Sequence, residues 1–454
     1  MDQGGKGKPA HSSGGFRRND FVMVAVCDAP GSKAKGGLLV SRRFAKICWA
    51  VGAVGFVLLV AACSEGSSDE ITVRVDYDHD EFATQFIRYF PDTIQVHPGD
   101  TVVFVQDWTG EAHTVTFGTR VSEVLAITKP LYEQWGAVPE DQVPPEALEA
   151  YFEAECSLPV LYGCEGPPTE EPDGDAAEDE SDDQINQTIA QPCLVEQGPV
   201  PEDGAPCATQ ELGAFDGTEA YYNSGFIGFE TDGENVFEME VSDSIEPGYY
   251  DFFCSVHGSF HSGTMQVVAP DEEIPTPQEV NLQTREELNE VVEPFRQVYD
   301  TASEGQFVFG GEAFTGNFSG LMDERVEGLL NEFVPETIEA KVGEPVTWLM
   351  FGPHSISFDV PEYFPIYERL DDGTVRANEE VYLPAGGAPE VEEPDSLDPI
   401  VVDGGTWDGS DFWSSGVLYS DAYVKYTLRI STPGTYRYAC LIHPPMVGTV
   451  TVTS

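Results

Sequence analysis

Short runs in which apolar and polar residues alternate recur along the chain, separated by glycine, proline and acidic residues. Residues 447–452 are a clear example, and the apolar runs at 101–105 and 345–350 have a similar length. A period of two is that of a strand with one buried face, and such strands joined by turns pack as antiparallel β-sandwiches. The pattern therefore predicts an all-β fold rather than a helical one.

An internal repeat divides the chain into two copies of one unit. Residues 90–100 match residues 334–344, and an apolar strand follows each segment. Each copy then reaches a histidine and later a Pro-Gly turn with a strand that ends in a cysteine. A repeat on this scale predicts two tandem domains, which we call the N-terminal copy (residues 71–269) and the C-terminal copy (residues 305–454).

Each copy carries a long insertion between its histidine strand and its cysteine strand, at about residues 119–210 and 361–400. The linker between the copies, residues 270–304, contains a predicted helix. Thr284 is expected to cap this helix, and Glu287 to complete a capping box. Its apolar stripe is expected to pack the two domains together. The stripe consists of Leu288, Val291, Val292 and Phe295.

The N-terminal region predicts export. Basic residues precede residues 47–62, which carry no charge. That run is short for a spanning helix, which needs about 20 residues, and is typical of a signal peptide. It ends in the letters LVAAC, with Cys63 last, which resembles the bacterial lipobox. The resemblance implies that residues 1–62 are removed, that Cys63 is lipidated and that residues 63–70 form a tether. An uncleaved anchor or an ordinary signal peptide is also consistent with this segment.

The composition is strongly acidic, with 80 Asp and Glu against 22 Lys and Arg and a net charge of −58. Such a surface repels nucleic acid and attracts cationic partners. The charge therefore argues against nucleic-acid binding. It is explained either by solubility in salty surroundings or by steering toward a basic partner.

The nine cysteines fall into groups with different expected roles. Four lie in the N-terminal insertion and are expected to form two disulfides outside the cytosol, with a pairing that spacing does not reveal. They are Cys156, Cys164, Cys193 and Cys207. Cys27 and Cys48 precede the predicted cleavage site, and Cys63 is expected to be lipidated. Cys254 and Cys440 remain, each at a strand end beside a histidine. Free thiols are unusual in an oxidising compartment, so a metal is the expected partner.

The C-terminal copy supplies a recognisable ligand pattern. Cys440, His443 and Met446 follow one another as Cys-x2-His-x2-Met, and His354 comes from a distant strand. A thiolate, two imidazoles and a weak axial thioether are the ligands of blue-copper sites. Here the sequence resembles the cupredoxin family of plastocyanin and amicyanin, with an amicyanin-like spacing before the methionine. The resemblance implies Greek-key β-sandwiches, one copper ion held by these four residues, and one-electron transfer.

The N-terminal copy departs from this pattern after His113, Cys254 and His257, which match in position. If residues 263–267 align with residues 448–452, Met265 is a strand residue and His261 takes the axial position. A third imidazole would then lower the reduction potential and weaken the blue absorption. A second interpretation keeps Met265 as the axial ligand, and a copy without metal also stays open.

These observations predict an electron carrier at the cell surface, with copper in each copy, rather than an enzyme. Multicopper oxidases and copper nitrite reductases also join cupredoxin domains, but they need His-x-His pairs or histidines from a neighbouring subunit. This chain has eight histidines and no His-x-His pair. Copper sequestration or delivery is a competing function, and a structural adhesin is a third. The expected partners are a basic redox protein, such as a cytochrome or an oxidase, and the membrane through the lipid anchor.

Overall fold

The structure is a computed structural model that describes most of the chain beyond residue 69. All described residues belong to one compact unit, Gly66–Ser454. They are residues 70–77, 79, 82, 84–106, 111–135, 138, 142–161, 185–201, 211–229, 235–309, 312–322, 328–360, 364–370, 373–389, 399–420 and 422–454. The predicted signal peptide and Cys63 lie outside them, so the lipoprotein assignment stays a prediction. Within the described residues, no helix is both long and apolar enough to cross a membrane.

The described part of the N-terminal copy contains ten strands and three helices. In chain order they are β1 (Ile71–Asp76), β2 (Thr84–Phe86), β3 (Thr93–Val96), β4 (Thr101–Gln106), β5 (Thr116–Phe117), α1 (Thr119–Trp135), α2 (Pro145–Glu155), α3 (Gln187–Ala190), β6 (Cys193–Val195), β7 (Tyr221–Asn223), β8 (Val236–Glu240), β9 (Gly248–Cys254) and β10 (Gly258–Val267). The predicted insertion accounts for all three helices and β6.

The linker forms one long helix, and fourteen strands and one short helix follow it in the described residues. In chain order they are α4 (Pro277–Ser303), β11 (Gln306–Phe309), β12 (Glu312–Thr315), β13 (Asn317–Met322), β14 (Gly328–Val334), β15 (Thr337–Lys341), β16 (Pro345–Met350), β17 (Ser357–Phe358), β18 (Tyr367–Arg369), β19 (Val375–Ala377), α5 (Glu379–Tyr382), β20 (Ile400–Trp407), β21 (Trp413–Ser414), β22 (Val424–Ile430), β23 (Gly434–Ala439) and β24 (Val447–Thr453). The prediction of a mainly β fold is confirmed.

Two sheets enclose the core of the N-terminal copy, with strand orders β1-β4-β8 and β3-β10-β9-β5-β7-β6. Phe104 of β4 faces across the core, and its ring centroid lies 5.5 Å from that of Phe252 in β9 and 6.2 Å from that of Phe117 in β5. All three side chains are fully buried. Aromatic contacts of this kind hold the two sheets face to face.

The C-terminal copy repeats this arrangement with the orders β2-β14-β13-β16-β22-β20 and β15-β24-β23-β17-β21. Trp348 of β16 crosses the core, and its indole N–H donates to the Tyr438 hydroxyl of β23 at 3.1 Å. The matching strands also share their register. Met265 of β10 lies opposite Ile94 of β3, as Val450 of β24 lies opposite Ile338 of β15.

One strand of the N-terminal copy belongs to a sheet of the C-terminal copy. Strand β2 pairs antiparallel with β14, so that Phe86 lies opposite Gly328 and Thr84 opposite Leu330. The side-chain amide of Asn331 also donates to Gln85 at 3.3 Å. The sequence repeat did not predict that β2 joins this sheet. The β2–β14 pair connects the copies through main-chain hydrogen bonds.

Helix α4 packs against both copies along its apolar stripe. Leu288, Val292 and Phe295 are buried in one cluster with Phe86 of β2 and Phe318 of β13. The predicted contribution of this stripe to packing between the copies therefore agrees with the structure.

The predicted start of this helix at Thr284 is wrong. Thr276 is the N-cap, and its side chain and that of Glu279 form the capping box, with Pro277 in the first turn. Thr284 lies inside the helix, where its hydroxyl donates to the carbonyl of Val280 at 3.1 Å. The earlier Thr-Pro-x-Glu combination is the stronger start signal, because proline is pre-organised for the first helical position.

The insertions also meet between the copies. The side chain of Gln187 in α3 donates to the carbonyl of Val375 in β19 at 2.7 Å and accepts from its N–H at 2.9 Å. Tyr367 of β18 packs on Phe226, with 4.8 Å between ring centroids. The second insertion therefore rests on the N-terminal copy.

Replacing Phe295 with alanine should remove the central contact of α4. Its ring lies 5.2 Å from that of Phe86, and the side chain is fully buried. We expect Phe295→Ala to lower the free energy of unfolding by about 3–5 kcal/mol in chemical denaturation. Leu282→Ala, on the same helix but 56% exposed, is the control and should change it by less than about 0.5 kcal/mol. Equal effects of the two variants would contradict this packing.

Candidate metal sites

Two groups of buried ligand-type side chains lie in the described part of the chain, one in each copy. We call His354, Cys440 and His443, together with Met446, the C-terminal site. His113, Cys254, His257 and His261 form the N-terminal site. Within each histidine–cysteine group, one ligand atom from every residue lies within 4.8 Å of those of the others.

The C-terminal site brings together residues that are far apart in sequence. The Sγ atom of Cys440 lies 3.8 Å from Nδ1 of His354 and 3.5 Å from Nδ1 of His443. The two Nδ1 atoms are 3.1 Å apart. All four side chains, including Met446, are at least 97% buried. The structure brings His354, Cys440 and His443 together, with both imidazoles facing the sulfur through the same ring nitrogen.

Main-chain hydrogen bonds fold the C-terminal ligand loop on itself. The N–H of Cys440 donates to the carbonyl of Met446 at 3.0 Å. The N–H of Met446 donates to the carbonyl of His443 at 2.9 Å. The loop therefore closes within seven residues, from the end of β23 to the start of β24. A loop this tight directs a thiol, an imidazole and a thioether from one short segment.

An isolated main-chain bridge to Leu418 and a close glycine hold the distant histidine, His354. The N–H of His354 donates to the carbonyl of Leu418 at 3.2 Å. Gly320 of β13 has a φ of +64° and lies against the imidazole, since a Cβ atom there would come within 1.9 Å of Nε2 of His354. A residue with a side chain cannot occupy position 320 without moving the imidazole.

The N-terminal site has the same frame with one more imidazole. The Sγ atom of Cys254 lies 3.8 Å from Nδ1 of His113 and 3.7 Å from Nδ1 of His257. The ring of His261 lies 5.0 Å from that of His113 and 5.7 Å from that of His257, measured between centroids. The site thus presents one sulfur and three imidazoles.

The structure separates the two axial candidates of the N-terminal copy. Met265 lies opposite Tyr250 in the β9–β10 pair, whereas Cys254 lies opposite Gly258. At about 3.3 Å per residue, Tyr250 is roughly 13 Å along β9 from Cys254. Met265 is therefore a core residue of the strand, and the interpretation that kept it as an axial ligand does not fit this register. A shift in register between Gly258 and Ser262 accommodates the extra loop residue.

His261 is buried without any hydrogen-bond partner for either ring nitrogen. Its burial lowers its pKa to about 4, so the imidazole is neutral near pH 7. A buried polar group left without partners costs about 1–3 kcal/mol. A metal ion between the four side chains would satisfy one of these nitrogens.

Two carboxylates that the sequence did not point to complete the N-terminal site. Oδ2 of Asp76 lies 3.2 Å from Nε2 of His113, and Oε1 of Glu111 lies 3.1 Å from Nε2 of His257. Such outer carboxylates orient metal-bound histidines and fix their tautomer. Glu111 precedes His113 by two residues, which is the one signal for it in the sequence. Asp76 is the last residue of β1, and no sequence signal marks it as part of the site.

These contacts give the N-terminal site a charged character. Burial acts to lower the pKa of His113, but hydrogen bonds to Asp76 and Cys254 outweigh it and raise that pKa to about 9. Burial is likewise outweighed at His257, where Glu111 and Cys254 raise the pKa to about 10. The imidazoles lower the pKa of the Cys254 thiol well below its usual value against the effect of burial. The metal-free site therefore holds a thiolate beside protonated imidazoles.

The C-terminal site is neutral by comparison. Burial raises the pKa of the Cys440 thiol and lowers the pKa of His354 to about 4. Burial and the neighbouring imidazole also lower the pKa of His443 well below its usual value. Two sites with the same frame thus differ in charge, because one has carboxylates behind its imidazoles.

The N-terminal insertion fixes the ligand loop of its copy. The carboxylate of Glu155 in α2 accepts a hydrogen bond from the N–H of Ser259 at 2.6 Å and another from its hydroxyl. The N–H of Leu161 donates to the carbonyl of Ser255 at 2.8 Å. These contacts lie on either side of His257, so the insertion holds the loop at two points.

Both sites fit a soft metal ion by the spacing of their donors. Metal–nitrogen and metal–sulfur bonds of about 2.0 and 2.3 Å, opened to tetrahedral or trigonal angles, separate the two donor atoms by roughly 3.5–3.8 Å. The four sulfur–nitrogen distances given above fall in the same range, from 3.5 to 3.8 Å. Two histidines, a cysteine thiolate and a methionine are the donor set of blue-copper sites.

The remaining predicted cysteines are only partly described. Cys254 and Cys440 are the free thiols among the described cysteines, and Cys156 and Cys193 are not free. Cys164 and Cys207 lie outside the described residues. The two disulfides and their pairing therefore stay a prediction.

No protein-family model and no curated protein matches the chain. The similar solved structures are cupredoxins, at low coverage of this chain. A purple cupredoxin from Nitrosopumilus maritimus is 20% identical over 27% of this chain and 83% of its own, with a TM-score of 0.15. A plastocyanin from Dryopteris crassirhizoma is 22% identical over 27% and 89%, with a TM-score of 0.15. A Cu(I) amicyanin mutant is 18% identical over 27% and 73%, with a TM-score of 0.14.

The charge difference between the two metal-free sites can be measured. In Cys440→Ser, the remaining Cys254 should show ultraviolet thiolate absorbance at pH 7, which disappears as the pH falls through its depressed pKa. In Cys254→Ser, the remaining Cys440 should show none until the pH exceeds the ordinary thiol value of about 8.5. The double variant provides the baseline for tyrosines and other thiols. Identical titrations of the two single variants would contradict the assignment.

Proposed function

We propose that the chain is a one-electron carrier that holds one copper ion in each copy, with a blue-copper site in the C-terminal copy. The observation that carries the proposal is the convergence of His354, Cys440 and His443 at copper-ligand spacing, with the buried Met446 in the same short loop. When bound, the copper supplies a reversible change between two oxidation states. The protein supplies a donor set with a soft thiolate for the reduced state and imidazoles that serve both.

The chain's own residues would hold the ligands nearly still during that change. The N–H of Ser355 donates to Sγ of Cys440 at 3.4 Å, and the N–H of Leu441 donates to the hydroxyl of Ser355 at 2.9 Å. These bonds join Ser355, the residue after the distant histidine, to Cys440 and Leu441 at the start of the cysteine loop. A fixed ligand cage costs little reorganisation when charge changes, which suits electron transfer.

The N-terminal site is proposed to bind copper through His113, Cys254, His257 and His261. Its third imidazole replaces the thioether of the C-terminal site, and both nitrogens of His261 lack a partner within the protein. A harder donor in this position favours the oxidised ion. We therefore expect weaker blue absorption and a lower reduction potential than in the C-terminal site.

We propose a carrier rather than an enzyme because the remaining described histidines have contacts of their own. His97 is hydrogen-bonded through Nε2 to the carbonyl of Glu272 at 3.0 Å, and His79 stacks on Phe82 with 4.4 Å between centroids. The proposed setting is a lipid-anchored, extracytoplasmic protein. The full sequence has a net charge of −58, and the acidic surface would steer a basic redox protein toward the chain.

Copper content separates the two sites. The wild-type chain should bind two copper ions per molecule. The variants Cys440→Ser and Cys254→Ser should each bind one copper ion tightly. Each variant should also lose the thiolate-to-copper absorption and the EPR signal of the substituted site. Rapid loss of copper to a competing chelator, without reversible reduction, would favour delivery instead. A preference for zinc over copper at both sites would overturn the proposal.

Exchanging the axial residues tests their roles. Met446→His should lower the reduction potential of the C-terminal site and weaken its blue absorption, because an imidazole stabilises the oxidised ion. His261→Met should do the opposite at the N-terminal site. Spectroelectrochemistry on each variant measures both quantities, and Met265→Leu is the control that should change neither. A response of the N-terminal site to Met265→Leu but not to His261→Met would reverse our axial assignment.

A further inference from the structure

The two sites differ most in what lies behind their imidazoles. In the N-terminal site, Asp76 and Glu111 contact the outer nitrogens of His113 and His257 at 3.2 and 3.1 Å. The side chain of Asp76 is fully buried, and that of Glu111 is 18% exposed.

Main-chain donors surround the carboxyl group of Asp76. Its Oδ1 atom accepts hydrogen bonds from the N–H groups of Tyr77 and Phe86, each at 2.6 Å. Burial raises the pKa of Asp76, and these bonds and His113 offset that rise in part. Because an ionised carboxyl group only accepts hydrogen bonds, a set of donors on both oxygens suits the carboxylate form.

The C-terminal copy replaces both carboxylates with small residues. Asp76 lies opposite Gln106, at the end of β4, and Ser319 lies opposite Met350, at the equivalent end of β16. Gly320 follows Ser319 and lies against Nε2 of His354. The residue two before His354 is a glycine, at the position that Glu111 holds before His113. The two distant histidines therefore have different outer environments.

We propose that Asp76 and Glu111 lower the reduction potential of the N-terminal site relative to the C-terminal site, so that electrons within the chain pass from the N-terminal site to the C-terminal site. The inference rests on the proposed copper function. The oxidised state of a metal site carries one more positive charge than the reduced state. Two negative groups hydrogen-bonded to its imidazoles in buried surroundings stabilise that charge.

The internal step balances without a further reactant. The N-terminal site gives up one electron and is oxidised, and the C-terminal site accepts that electron and is reduced. No bond is made or broken, and no proton needs to move. The ligand residues of both sites stay the same.

Hydrogen bonds, ending in one close contact between Gly320 and the His354 imidazole, form a path between the two sites. Asp76 contacts His113 and accepts from the main chain of Phe86 in β2 at 2.6 Å. Strand β2 pairs with β14, and β14 pairs with β13. Strand β13 contains Gly320, which lies against His354. The addition of β2 to the sheet of the C-terminal copy therefore links His113 to His354 through three neighbouring strands.

Potentials of isolated sites test the role of the carboxylates. In the Cys440→Ser background, Asp76→Asn and Glu111→Gln should each raise the midpoint potential of the N-terminal site, measured by spectroelectrochemistry. Both substitutions keep side-chain size and remove a negative charge. Glu111 lies at the partly exposed edge of the site, so Glu111→Gln provides the test if Asp76→Asn does not fold. The same substitutions in the Cys254→Ser background should leave the C-terminal site unchanged.

The direction of transfer is tested in the chain with both sites loaded. One electron equivalent added to the fully oxidised protein should bleach the C-terminal absorption first, and Asp76→Asn with Glu111→Gln should shift that partition toward the N-terminal site. Copper-loaded sites with unchanged potentials in both variants would overturn the inference while leaving the copper function intact. Absence of thiolate-to-copper absorption from the N-terminal site would overturn the proposed function there, and the inference with it.

Discussion

A hydrogen bond from the main chain to the cysteine sulfur is the interaction on which both sites depend. The N–H of Thr114 donates to Sγ of Cys254 at 3.3 Å, and the N–H of Ser355 donates to Sγ of Cys440 at 3.4 Å. Each donor directly follows the distant histidine, so the bond joins residues 140 or 85 positions apart. For this bond to form, the strand after the distant histidine must lie beside the strand that ends at the cysteine, as β5 lies beside β9 and β17 beside β23. The sandwich is thus the means by which an imidazole meets a thiol from the far end of its copy.

The sequence was informative wherever a pattern depends on neighbours in the chain or on the repeat. The grouping of Cys440, His443 and Met446 follows from a seven-residue loop, and His354 follows from its match to His113. Alternating strands likewise indicated the sheets, and the alignment of residues 263–267 with 448–452 anticipated the strand position of Met265. Such signals are local, so they can be recognised without knowledge of the tertiary structure.

Features that depend on contacts between distant segments could not be predicted in this way. Asp76 lies 37 residues before His113, and Glu111 lies 146 residues before His257. In a chain with 80 acidic residues, nothing marks these two as buried partners of imidazoles. The pairing of β2 with β14 has the same cause, because a three-residue strand carries no sign of which sheet edge it joins. The predicted start of α4 was wrong for a different reason, because two threonine–glutamate pairs with the same spacing follow each other closely there.

The acidic surface and the buried carboxylates act on the two sites in different ways. Exposed charges are largely screened beyond about 8 Å at physiological ionic strength, and what remains of their field favours the oxidised state in both copies. It cannot by itself separate the two reduction potentials. Asp76 and Glu111 act at hydrogen-bond distance in poorly screened surroundings, and the C-terminal copy has Ser319 and Gly352 in their places. We therefore infer that the two outer carboxylates act together with His261, which stands in place of Met446, to give two copies of one frame unequal reduction potentials. The cysteine, two of the imidazoles and the main-chain hydrogen bond to the sulfur stay common to both.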